Sequence, residues 1–306
     1  MDKHVKKERK MVVVKLVGGI GNQMFVAAYA KMLQMRGYNV CLDVETFFQY
    51  EQMGVAKSKK IILSDPDLED FNIDIPVLKP GKSVYRYMMG VHKCKAIADF
   101  LEKSGLYHYY EWDTDDYFDK YMRDMVKMKD HSYVTGYFQN ERFFKRYETE
   151  IRRIFTPKRE VELPEELEKE RNRDYPLVGI HFRRTDYRYE KNFDMIELEY
   201  YEKALACMKE KIGKFDIFII SDDCNWVKKN WNLEGFKVFY ANDYKKEKDY
   251  WDMLWMSKCD HNIIANSTFS WWGAWLNPNK DKIVIAPEKW VNYRKTAVVP
   301  KDWIQF

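Results

Sequence analysis

Short runs of β-branched and apolar residues alternate along this chain with longer stretches whose apolar positions recur at helical spacing. Met11-Val12-Val13-Val14-Lys15-Leu16-Val17 predicts a buried strand. The turn Gly18-Gly19-Ile20-Gly21-Asn22-Gln23 follows, and Met24, Ala27, Ala28, Met32 and Met35 then mark a helix face closed by Gly37. Residues 39–44 predict a second strand. From 46 to about 130 the pattern blurs into apolar patches, prolines and an acidic stretch, before residues 133–140 read as a strand and 141–155 as a helix. Residues 158–174 are strongly charged with one proline, which suits a linker or an exposed helix. The second half is more regular. Strands are predicted at 176–180, 215–220, 237–240, 261–265 and 282–286, with helices at 195–212, 224–230 and 249–257, and a tryptophan-containing tail ends the chain. Strands alternating with helices in this way predict a parallel sheet covered on both faces. Two such units give an α/β chain of two facing Rossmann-like domains, 11–157 and 158–306, with the tail a candidate to pack back on the N-terminal half.

Composition narrows the partners. Across 306 residues, 46% are hydrophobic and 33% charged, as in a globular protein with a sizeable core. Net charge is 52 − 48 = +4, too balanced for nucleic acid to be the main partner. Cys41, Cys94, Cys207, Cys224 and Cys259 are odd in number and show no metal-type spacing, which favours a reducing compartment and argues against zinc. The apolar run at Met11 is too short for a secretory or membrane segment, so a cytoplasmic protein is expected. The basic residues before it allow peripheral membrane association at most.

Three stretches hold the candidate chemistry. His181-Phe182-Arg183-Arg184-Thr185-Asp186-Tyr187 follows a buried strand. Alternation along that strand places His181 and Arg183 on one side and Arg184 on the other. A cation and an imidazole therefore arrive at the carboxyl end, where open α/β sheets bind ligands. Asn266-Ser267-Thr268-Phe269-Ser270 lies where a strand meets a helix start, and its hydroxyls and backbone N–H groups can cap the helix, cradle an anion, or both. The first turn, GGIGNQ, lacks GxGxxG spacing, so a dinucleotide site is weakly supported; its glycines allow close backbone approach and Asn22 and Gln23 add neutral donors. Asp113-x-Asp115 has a spacing that can hold a divalent metal, and in its acidic surroundings it reads as a solvated loop.

GGIGNQMF, HFRRTDY and ANSTFSWWGAWLN, in this order and at these separations, resemble the α-1,2-fucosyltransferases of glycosyltransferase family 11. The resemblance spans residues 11–306 and implies a GT-B fold, GDP-fucose as donor, inversion at the sugar, no metal and no other cofactor, and a terminal β-galactoside of a glycan as acceptor. It looks like a bacterial member. Thr185 stands where the family commonly has glycine, which bears on linkage more than on donor. The resemblance further implies that Arg183 contacts the donor diphosphate with Ser267, Thr268 and Phe269, that Asn22 reaches the same phosphates, and that His181 and Asp222 face the guanine, with Asp223 competing for Asp222's place. Asp186 is the first candidate for the base at the acceptor hydroxyl, with Glu190 and Asp194 behind it; an orienting role toward Arg184 competes. The alternatives are a metal-dependent sugar transferase using Asp113 and Asp115, and a non-catalytic nucleotide- or glycan-binding module.

Overall fold

The computed structural model describes residues 10–44, 67–78, 100, 103–104, 108–112, 128–185, 194–293 and 296–306. The chain divides into two compact units, Met1–Thr156 and Pro157–Phe306.

The N-terminal unit holds strands β1 (Met11–Lys15), β2 (Asn39–Asp43), β3 (His108–Trp112) and β4 (Ser132–Gly136), all parallel in the order β2-β1-β4-β3. Helix α1 (Ile20–Met35) begins inside the glycine turn rather than after it, because Gly19 is extended (φ −71°, ψ 174°) and serves as the N-cap. Asn22 and Gln23 are thereby in the first helical turn. The buried amine of Lys31 on α1 lies 2.8 Å from Asp74 and 3.0 Å from Glu150, and Arg153 joins both carboxylates. Hydrogen bonds from Arg153, and then from Lys31, hold the Glu150 carboxyl down at about 2.

Two expectations for this unit change. The strand predicted over 133–140 stops at Gly136, because Phe138 turns left-handed (φ 51°) and stacks its ring on Tyr29 at 3.8 Å. The helix predicted over 141–155 is two 3-10 turns, Glu141–Phe143 and Lys145–Tyr147, followed by α2 (Glu148–Ile154). Asn140 caps the first turn through Arg142 N–H (3.0 Å). Phe143 and Phe144 are adjacent yet both buried, against Tyr29 and Phe25 respectively. A regular α-helix would send such neighbours roughly 100° apart.

In the C-terminal unit the elements run α3 (Glu165–Glu170), β5 (Leu177–Phe182), α4 (Leu198–Ile212), β6 (Asp216–Ser221), α5 (Cys224–Asn230), β7 (Val238–Tyr240), α6 (Trp251–Ser257), β8 (His261–Ile263), α7 (Thr268–Leu276), β9 (Val284–Ala286) and β10 (Ile304–Gln305). The parallel sheet has the order β10-β9-β8-β5-β6-β7, the doubly wound Rossmann arrangement. Every residue of β5 and β6 is buried, as two covered faces require. On one face Val178, Ile180, Phe182, Ile217 and Ile219 pack with Tyr201, Ala204 and Met208 of α4 and Val227 of α5. On the other, Gly179 leaves room for Cys259, whose sulfur would be 2.9 Å from an added Cβ. Buried amides lock this side: Asn277 donates to Cys259 O (2.7 Å) and Asn262 Oδ1 (2.9 Å), and Asn262 donates to Met256 O (2.9 Å). The tail adds β10 to the edge of this sheet and accepts at Val298 O a bond from the Trp271 indole (2.9 Å).

Strand order reverses between β5 and β8 in this unit and between β1 and β4 in the other. Ligands of such sheets bind outside the carboxyl ends at that reversal. β5 ends inside the stretch HFRRT, at Phe182, and NSTFS follows β8; GGIGNQ follows β1 and Tyr137-Phe138-Gln139-Asn140 follows β4. Among the described residues no helix is long and apolar enough to cross a membrane.

Candidate functional site

β5 and β8 are hydrogen-bonded neighbours, so their carboxyl ends deliver two of the three stretches to one place. The buried His181 ring lies 5.5 Å from that of Phe269 at the start of α7. Phe182 packs into the core against Tyr201, and Arg184, two residues on and past the end of β5, lies over Trp226 of α5. Arg183 is half-buried with 27% of its side chain exposed, and its Nε is 3.6 Å from Asp222 Oδ2. Arg184 is buried, its guanidinium carbon 3.2 Å from the Trp226 ring centre.

The two aspartates after β6 have separate tasks. Asp222 accepts from Arg184 N (3.0 Å), Thr185 N (3.1 Å) and Thr185 Oγ1 (2.7 Å), besides its pairing with Arg183. These partners belong to the arginine loop. The Thr185 hydroxyl bond is one that glycine could not make. Asp223 is the N-cap of α5, accepting from Trp226 N at 3.2 Å, and its own N–H donates to Ser221 Oγ at 2.9 Å. Sequence reasoning missed Trp226; the signal was an Asp three residues before it, which fixes the helix start and hence the face the indole takes.

At α7, Ser267 is the N-cap, extended at φ −128°, ψ 128°, and its side chain makes no capping bond. The Ser270 hydroxyl instead bonds back to Ser267 O (3.1 Å). The first turn thus presents backbone amides without a side-chain cap, beside the half-buried residues Thr268 and Phe269, the arrangement that takes an anion. Asn266 Nδ2 donates to Asp194 O (3.1 Å) and Trp290 O (3.2 Å), fixing the approach to the helix.

In the N-terminal unit the corresponding turn is built from neutral groups. Gly18 is left-handed (φ 76°), and a Cβ there would lie 2.7 Å from Asn22 Nδ2. Gln139 Nε2 donates to Asn22 Oδ1 at 2.7 Å, and Gln23 Nε2 to Gly18 O at 3.1 Å. Gln139 was another residue the sequence did not single out.

Asp186 and Glu190, the first two candidates for the base, lie outside the described residues, as do Asp113 and Asp115. Asp194 is exposed and bonded to Lys289 and Asn292. The lysine ammonium, then the asparagine, keeps its carboxyl below the usual range, which weakens it as a base.

Two parallel α/β units, the C-terminal one with an arginine and an uncapped helix start at its strand-order reversal, are the architecture of a GT-B glycosyltransferase. The chain belongs to glycosyltransferase family 11, whose model matches residues 11–306. It is 30% identical to the Escherichia coli alpha-1,2-colitosyltransferase over 96% of this chain and 98% of that one. It is 28% identical to the E. coli O-antigen biosynthesis glycosyltransferase WbnK, over 94% and 98%. Mammalian galactoside 2-alpha-L-fucosyltransferases match over about half of the chain or less. The fold is that of Arabidopsis thaliana FUT1, solved in complex with GDP, with a TM-score of 0.51 at 13% identity, covering 90% of this chain and 70% of that one.

Proposed function

We propose that the protein transfers L-fucose from GDP-fucose, with inversion, to the 2-hydroxyl of a terminal β-galactoside. The single observation behind this reading is the contact of His181 with Phe269, which brings the strand-end arginine stretch beside the start of α7. Departure of GDP builds negative charge on the diphosphate while the anomeric carbon becomes cationic. The Arg183 fork and the first-turn amides around Ser267, Thr268 and Phe269 offset that charge as it develops. Asp186 takes the proton of the acceptor hydroxyl on the opposite face. The scheme needs no divalent metal, so transfer should survive a chelator; loss of activity on chelation would move attention to Asp113 and Asp115.

The test is transfer and donor hydrolysis across nucleotide sugars, with β-galactosides as acceptors and products resolved by linkage. A fucosylated 2-hydroxyl supports the reading, and a preference for UDP-sugars removes it. A nucleotide-activated colitose is the second donor to include, because the relative at 30% identity is named for colitosyl transfer.

A further inference from the structure

We propose that Trp226 is a positioning residue of the diphosphate cradle, acting through Arg184; the inference rests on the sugar-nucleotide reading above. The two adjacent arginines differ in what surrounds them. Arg184 is only 9% exposed, and its guanidinium carbon sits 3.2 Å from the Trp226 ring centre, against 4.5 Å for Lys228 over Tyr240. That is face-on stacking, a geometry that a planar guanidinium can adopt and an ammonium cannot. The backbone of the same residue is held from below, since Asp222 accepts from Arg184 N at 3.0 Å and from Thr185 N at 3.1 Å. Thr185 Oγ1 adds a third bond to that carboxylate at 2.7 Å. Trp226 is itself fixed, because Asp223 caps α5 through Trp226 N.

Arg184 is thus gripped at both ends, its main chain by Asp222 and its side chain by the indole. Arg183, with 27% of its side chain exposed, has its Cα direction set by that grip. A bidentate arginine contact tolerates little angular error, so a loop that swivels would lose diphosphate affinity without losing charge. Arg184 is therefore an anchor and Arg183 the substrate-facing group.

The experiment compares Trp226→Phe, Trp226→Leu, Arg184→Lys and the double variant Trp226→Leu/Arg184→Lys. Two quantities are measured: GDP affinity by calorimetry, and amide hydrogen exchange of the peptide containing residues 183–185 in the protein without nucleotide. Removing the stack should weaken GDP binding roughly 3- to 30-fold, the range expected for a desolvated cation–π contact, with Phe intermediate between Trp and Leu. Exchange of the loop peptide should rise in the same order while the β6 peptide, residues 216–221, keeps its protection. The double variant should be no worse than the worse single one, since both substitutions break one contact. Additive losses, or a large loss in Arg184→Lys beside wild-type GDP affinity in Trp226→Leu, would overturn the proposal and make Arg184 a phosphate ligand. Unchanged loop exchange in Trp226→Leu would overturn it as well, and loss of β6 protection would identify Trp226 as a core residue instead. If the wild-type protein binds no GDP, the donor reading fails, and the loop exchange alone decides whether the anchor exists.

Discussion

The two units share a construction and differ in their chemistry. Each is a parallel sheet whose strand order reverses next to a strand followed by a polar turn, after β1 in one and β5 in the other. In the C-terminal unit the turn is held by a carboxylate, two arginines and an indole. In the N-terminal unit it is held by a left-handed glycine, an amide pair and an aromatic stack under a left-handed phenylalanine. A charged cradle suits a leaving diphosphate; neutral amides and rings suit a partner whose charge does not change during the reaction. The lesson is that one topology can carry an ionic turn in one unit and a neutral turn in the other by side-chain choice alone.

Base removal should give the largest effect. Asp186→Asn should lower turnover ~10²–10⁴-fold with GDP affinity barely changed, if the carboxylate serves the acceptor hydroxyl. If affinity falls together with turnover, Asp186 belongs instead to the arginine loop and orients it. Next comes the ionic half of the comparison. Arg183→Lys keeps the charge and loses the fork, and should cost ~10²–10³-fold in transfer, the range for removing one oriented donor from a developing anion. Near-normal turnover for that variant would mean that charge alone suffices. The neutral half should be milder: Asn22→Ala removes a neutral donor and should cost about three- to tenfold in kcat/KM, with little dependence on salt. A loss as large as that of Arg183→Lys would erase the contrast between the units.

The legibility of the two halves differs for a physical reason. Strands such as Met11–Lys15, alternately buried, and Leu177–Phe182 and Asp216–Ser221, buried throughout, announce themselves by apolar runs. Arginines at the end of such a run are costly to place there by accident, so the C-terminal site could be read in advance. Gln139 and Phe138 left no such trace, because an amide and a phenylalanine after a strand are ordinary, and the left-handed turn that gives them meaning depends on the tertiary contact with Tyr29. Which of Asp222 and Asp223 caps α5 was equally hidden. Both precede the helix, and only the fold shows that Asp223 reaches Trp226 N while Asp222 reaches the arginine loop.

The smallest predicted effect separates the units by acid stability. In the N-terminal unit the Lys31 network keeps Glu150 ionised down to about 2, below its ordinary 4.5. Its contribution is complete above pH 4.5 and fades only as pH falls from there toward 2. In the C-terminal unit His261 is buried at the start of β8, and its Nδ1 accepts a bond from Ile283 N, just before β9, at 3.0 Å, which requires the neutral ring. Burial lowers its pKa below 6.5, with Asp260 opposing weakly. The unfolded chain therefore binds a proton first as pH drops, and the stability supplied by neutral His261 is whole above pH 6.5 and lost below it. The slope is at most about 1.4 kcal/mol per pH unit. Denaturation of wild type and His261→Asn at pH 7.5 and 5.5 measures this, because asparagine keeps an acceptor oxygen near the Nδ1 position without titrating. The variant should lose less stability than the wild type between the two values. An equal loss would mean that His261 does not control the acid sensitivity of this unit, which then lies elsewhere.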